Sequence, residues 1–191
     1  RAVEFANKFQ VPVRVLSSFE EGKGTLISLK EENMENALIS GIAFKQDQTK
    51  FTLHGVEDTP GIAYKILGPV NDQDISVDVI VQNISVNGKT DFTFTVDKED
   101  EEQVKSILES KQSGLDYIDL LIDADIAKVS IVGAGMRSHA GIASKAFKAL
   151  SNESINIQVI STSEIKITLV IEDKYLELAV KCLHKAFNLE K

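Results

Sequence analysis

Cysteine occurs once in the 191 residues, at Cys182, so no disulfide framework can form within the chain. No run of about 18 apolar residues appears, which argues against a membrane-spanning helix. The first ten residues, RAVEFANKFQ, are charged and lack the apolar centre of a secretion signal. Basic residues are outnumbered, 21 Lys and Arg against 29 Asp and Glu, for a net charge of −8 and a pI near 5.0. A nucleic-acid binder needs a basic face to neutralise phosphates, and these interspersed cations supply none. The expectation is a cytoplasmic protein with neither nucleic acid nor membrane as a partner.

Catalytic constellations are missing too. His54, His139 and His184 show no metal-ligand spacing. No phosphate-binding loop, nucleophile elbow or carboxylate pair is found. Cys182 falls in the last helical pattern, where a lone cysteine acts as a small hydrophobe. The acidic run DKEDEE at 97–102 opens a helix, where negative charge is favourable. The residues by themselves point to no catalytic, metal or cofactor site.

What is present is a composition typical of a folded chain, 43% apolar and 26% charged, and an internal repeat. KFTLHGVEDTPGIAYKI, from Lys50, lies over KVSIVGAGMRSHAGIASKAF, from Lys128. Lys50 meets Lys128 and Gly55 meets Gly133. After two extra residues in the second loop, Gly61, Ile62 and Ala63 meet Gly141, Ile142 and Ala143. Lys65 then meets Lys145, Ile75 meets Ile155, and FTFTV at 92–96 meets ITLVI at 167–171.

In the first copy, alternation predicts strands at 50–56, 75–82, 91–96 and 117–122. Helices are predicted at 60–70, with Pro60 in the first turn, and at 99–111. Asn87-Gly88 is a tight-turn signal. The order βαββαβ is ferredoxin-like. The second copy runs strand 127–132, helix 140–151, strands 155–161 and 165–171, and helix 175–187, but lacks a closing strand. An unpaired strand candidate at 38–47 is expected to complete that sheet. The expected fold class is therefore α+β, with the first copy (48–124) inserted in the second (38–47 plus 125–191). Residues 1–35 read as helix, strand, loop and strand with no core of their own.

The stretch VGAGMRSHAG resembles a dinucleotide fingerprint but has Ser138 in place of the third glycine and no acidic residue ending the next strand. What both copies share is the second half of the loop, DTPGIA and SHAGIA, a glycine at a helix start. There the first backbone N–H groups lack intrahelical partners and the dipole favours an anion. Asp58 could cap the first of these helices or hold a ligand ammonium.

The segments HGVEDTPGIAYKI, DVIVQNIS, TDFTFTV, VSIVGAGMRSHAGIASKAF and INIQVISTSEIKI resemble the paired ACT domains of aspartate kinase, and RAVEFANKFQVPVRV with GTLI resembles the tail of that enzyme's catalytic domain and its linker. The resemblance implies a regulatory β subunit or regulatory fragment, partnered by a catalytic α subunit or kinase domain. ATP and magnesium would bind that kinase domain and not this chain. It implies a homodimer through the ACT domains, with lysine and/or threonine as feedback effectors at their interfaces. One pocket would use Asp58, Thr59, Gly61, Ile62, Ala63 and Gln82, facing Asn156 and Ile157 of a second-copy strand. The other would use Met136, His139, Gly141, Ile142 and Ala143, facing Asp78, with Ser163 and Glu164 nearby. Threonine is expected in the first and lysine in the second. Ser85, Thr90 and Thr93 match positions the family associates with feedback sensitivity. The alternatives are a structural ACT-type dimerisation module without a ligand, and an RNA binder, for which the chain lacks exposed aromatics and a basic face.

Overall fold

A computed structural model of the chain describes residues 2–27, 39–83, 87–110, 114–133 and 141–189. They fall into two compact units, 1–37 and 38–191. In the first, helix α1 (Ala2–Lys8) precedes an antiparallel hairpin of β1 (Val13–Val15) and β2 (Thr25–Ile27). Phe5 and Phe9, four residues apart on one helical face, bring their rings to 4.9 Å.

The second unit is built on one six-stranded antiparallel sheet. In chain order its elements are β3 (Gly41–Glu57), α2 (Ile62–Asn71), β4 (Ile80–Gln82), β5 (Lys89–Asp97) and α3 (Glu101–Glu109). They continue with β6 (Asp119–Val132), α4 (Ile142–Asn152), β7 (Val159–Thr162), β8 (Lys166–Glu172) and α5 (Leu176–Ala186). The strand order is β4-β5-β3-β6-β8-β7.

The strands expected at 38–47 and 50–56 are one strand, β3, and those at 117–122 and 127–132 are one strand, β6. The amino-terminal part of β3 pairs Gly41–Lys45 with Lys128–Val132, while its carboxy-terminal part pairs with both β5 and the start of β6. Each half of the sheet thus takes two of its four strands from the same continuous pair. The junction is marked by two register shifts, one extra residue on β3 between Lys45 and Gln48 and one on β6 between Asp123 and Ile126. Asp47, at the first shift, adopts a left-handed φ of 51°.

Two apolar cores form on the helical side. Phe51, Leu53, Phe92 and Phe94 meet Ile62, Ile66 and Val70 of α2 and Val104 and Leu108 of α3. Val129, Ile131, Leu169 and Ile171 meet Ile142, Ala146 and Leu150 of α4 and Ala179 and Leu183 of α5. The i, i+4, i+8 spacing on α2 and α4 puts each apolar stripe on one face. A third cluster, Val79, Ile126 and Val170, lies away from the helices, where the two halves of the sheet touch.

The second strand of each copy is shorter than its sequence promised. β4 and β7 keep only three and four residues of regular ladder. Ahead of β4, Asp78 and Val79 still bond with Thr95 of β5, through Asp78 N–H to the Thr95 carbonyl and Thr95 N–H to the Val79 carbonyl. The helices also start later than expected. Pro60 lies before α2, and residues 98–100 form a 3-10 turn ahead of α3. Among the described residues no helix is long and apolar enough to cross a membrane.

Candidate functional site

β3 ends at Glu57, and the loop to α2 carries Asp58, Thr59, Pro60 and Gly61. The Asp58 N–H donates to the Gly88 carbonyl (2.9 Å), which ties this loop to the Asn87-Gly88 turn. The Asp58 carboxylate does not cap α2, which has no side-chain cap. It accepts instead from Gln82 Nε2 (3.4 Å), at the end of β4. Two of the expected ligand residues, on segments 24 residues apart, therefore meet at the surface.

Gly61 sits at the helix start with φ 94°, and Gly141 at the start of α4 with φ 108°. A Cβ on either would meet nothing within 4 Å. The glycines are required by backbone conformation, and the space beside them is open to a ligand. Below Gly61, a pocket of about 150 Å³ is lined by Thr59, Gly61 and Ile62 together with Glu57, Pro60, Lys65 and Asp116. Ala63 lies instead beside a wider apolar groove with Tyr64, Leu67 and Ile80.

Thr90 is buried, and its hydroxyl donates to the Asn83 carbonyl (2.6 Å), closing the end of β4 onto β5. Thr93 shares a hydrogen bond with Thr52 across the sheet (3.0 Å). Ser85, Met136 and His139 lie outside the described residues. In the second copy, Ser163 Oγ accepts from the Ile165 and Lys166 N–H groups and shapes the β7–β8 turn, which also contains Glu164. The Gly133 N–H donates to the Ile165 carbonyl (2.9 Å), so β6 ends beside that turn. Asn156 is exposed, and Ile157 packs against the second core.

Asp78 has a partner within the chain. Its carboxylate accepts from Lys128 Nζ (2.6 Å), a lysine whose side chain is only 3% exposed. Burial alone would raise the Asp78 carboxyl. The Lys128 hydrogen bond and charge, with Lys166 and Lys45 further off, hold it below its ordinary value. The repeat is reflected here: Lys50, the match of Lys128, donates to Gln158 on the opposite half of the sheet. Sequence reasoning aligned the two lysines without finding this role. The signal was a charge inside the apolar run of KVSIV.

A second unforeseen contact lies near the start of β5. Asp91 accepts from the Gly55 N–H (3.0 Å) and from His54 Nδ1 (3.1 Å). The Gly55 N–H and then His54 lower its carboxyl from the ordinary value. Gly55 has φ 66° and occupies the bulge from which the Asp58 loop departs. No group of three or more His, Cys, Asp or Glu among the described residues could hold a metal.

Two models of the ACT domain match the chain, over residues 52–112 and 129–187. The aspartate kinase of Pseudomonas putida KT2440 is 58% identical over 100% of this chain and 46% of its own length. The chain thus spans just under half the length of the curated relatives it matches. A crystal structure of aspartokinase alpha and beta subunits is 50% identical, covering 78% of this chain and 99% of that one, with a TM-score of 0.71. The ligand-free regulatory subunit of aspartate kinase from Thermus thermophilus is 33% identical, covering 78% and 99%, with a TM-score of 0.73.

Proposed function

The chain belongs to the aspartate kinase family, as its regulatory region with two ACT domains, and from that premise we propose that it binds an end-product amino acid and thereby restrains the kinase. The observation that carries this reading is the Asp58–Gln82 contact beside the open, left-handed Gly61. An amino acid has two charged ends, and this loop offers something for each. The Ala63 and Tyr64 N–H groups open α2 without a carbonyl four residues back inside the helix, which suits a carboxylate. The Asp58 carboxylate and Gln82 side-chain oxygen suit an ammonium.

Threonine is assigned to this pocket and lysine to its counterpart at Gly141–Ala143. A second copy would close the first pocket with Asn156 and Ile157. A ligand shared by two subunits shifts their arrangement only by its differential affinity for the two states. The domain division proposed is 48–124 for the first ACT domain and 38–47 plus 125–191 for the second. The pairing of 41–45 with 128–132 supports it. Residues 1–35 are assigned to the end of the kinase domain and its linker. ATP and magnesium are assigned to the catalytic half of the enzyme, as membership of the family implies.

Calorimetry and melting curves with threonine and lysine, singly and together, test the proposal. A ligand that binds only the folded form must raise the melting temperature. Asp58→Ala and Gln82→Ala should each weaken threonine binding by roughly tenfold, the loss of one charge-assisted contact. No heat and no stabilisation with either amino acid would leave a structural dimerisation module. Unchanged affinity in both variants would displace threonine from this pocket.

A further inference from the structure

Lys128 does more than fill space. It lies on β6, in the second half of the sheet, yet its ammonium points into the first half, at Asp78 Oδ2 (2.6 Å) and Thr95 Oγ1 (3.5 Å). A buried lysine is costly unless paired and hydrogen-bonded, so this contact is strongly specified. Asp78 begins a short segment whose other end is Gln82, the residue that meets Asp58. Regular pairing holds Ile80–Gln82 of that segment, and two backbone bonds with Thr95 hold Asp78 and Val79. Its start is pinned from both sides. Thr95 Oγ1 accepts from the Val79 N–H (3.2 Å) and, on its other side, from Lys128.

We infer that Lys128 is a positioning residue for the Asp58–Gln82 site. From the second half of the sheet it fixes Asp78, and through Asp78 it sets the segment 78–82 that carries Gln82 to Asp58. This rests on the reading of that site as the effector pocket. The tie couples the two copies inside one chain: a shift of β6 reaches the pocket through Lys128, and a ligand on Gln82 is felt at β6. Lys50 is the internal control. It makes the reciprocal contact to Gln158, pairs with Asp123 beside it in its own half, and has no hydrogen bond or ion pair to 78–82 among the described residues.

Hydrogen exchange on the full 191-residue chain, without added amino acid, reads the positioning directly. Lys128→Met keeps the buried stem and removes the charge, leaving the half-exposed Asp78 carboxylate to water. In this variant the amides of 78–82 should exchange about fivefold faster, while those of 126–132 and 166–172 keep their protection. Lys50→Met should leave 78–82 unchanged. Once Lys128 is Met, Asp78→Asn should add nothing further. Threonine titration should then give a severalfold weaker affinity for Lys128→Met than for Lys50→Met.

Faster exchange confined to 78–82 together with weakened threonine binding upholds the inference. The same exchange pattern in Lys128→Met, with a wild-type chain that binds neither threonine nor lysine, upholds the positioning and overturns the effector assignment instead. Unchanged exchange at 78–82 overturns the inference. So does an equal effect in both lysine variants, or wild-type threonine affinity in Lys128→Met.

Discussion

Gly61 and Gly141 do the same work in the two copies. Each turns the chain through a left-handed conformation immediately before a helix, with open space on the side where a Cβ would stand. Replacing either with alanine causes no clash, so the cost is backbone strain, about 1–2 kcal/mol. Urea denaturation of Gly61→Ala and Gly141→Ala should show losses of that size and of similar magnitude. A much larger loss in one would mean that its side-chain space is needed for packing. Three carboxylates carry a second expectation at this scale. Burial opposes ionisation of Asp78, but Lys128 holds its carboxyl below the ordinary value. The Gly55 N–H and His54 lower Asp91, and Lys45 and Gln48 lower Asp97. Folded values below the unfolded ones mean stability that is complete above about pH 4 and lost as pH falls through the folded values. Denaturation midpoints should therefore drop steeply below pH 4, and less steeply in Asp91→Asn. A flat profile would show these contacts to be energetically silent.

Among the elements, the helices and their buried stripes were the most legible part of the chain. Ile62, Ile66 and Val70 recur at four-residue spacing, as do Ile142, Ala146 and Leu150, and each set is buried. The shared GIA marked the loop where Asp58 and Gln82 meet. The strands were harder to read. KQDQTK, at 45–50, looks like a break between two strands because it is polar. In the structure the strand runs through it. Gln48 is buried and donates to Asp97, and buried Thr49 donates to Glu101 (2.9 Å). At 75–79 the error ran the other way. Alternation promised a strand, but β-propensity describes fit to a surface and does not supply a partner ladder. Lys128 was illegible for a simpler reason: its partner is 50 residues away, beyond the reach of any spacing rule. Leu108 and Leu150, each fully enclosed in its own core, give a test at this scale. Truncating either to alanine should cost about 2–5 kcal/mol.

For the second unit as a whole, the informative quantity is how those two losses are expressed. β3 and β6 pass through both halves of the sheet, so neither core can lose its strands without disturbing the other. Leu108→Ala and Leu150→Ala should lower the midpoint of one common transition for residues 38–191. Calorimetric scans that resolve two transitions, with each variant moving only one, would show two independently folding domains.

The extra residues at the junction make that sharing possible. Inward side chains on β6 are even-numbered in the first half, Leu120 and Ile122, and odd-numbered in the second, Ala127, Val129 and Ile131. On an uninterrupted strand such a change of parity would turn the second core toward the opposite side. One inserted residue on each shared strand resets the phase, and both helical layers stay on the same side of the ribbon. The junction is thus a reading-frame correction written in the backbone, and deleting Asp47 alone would put β3 half a pleat out of step with its second set of neighbours.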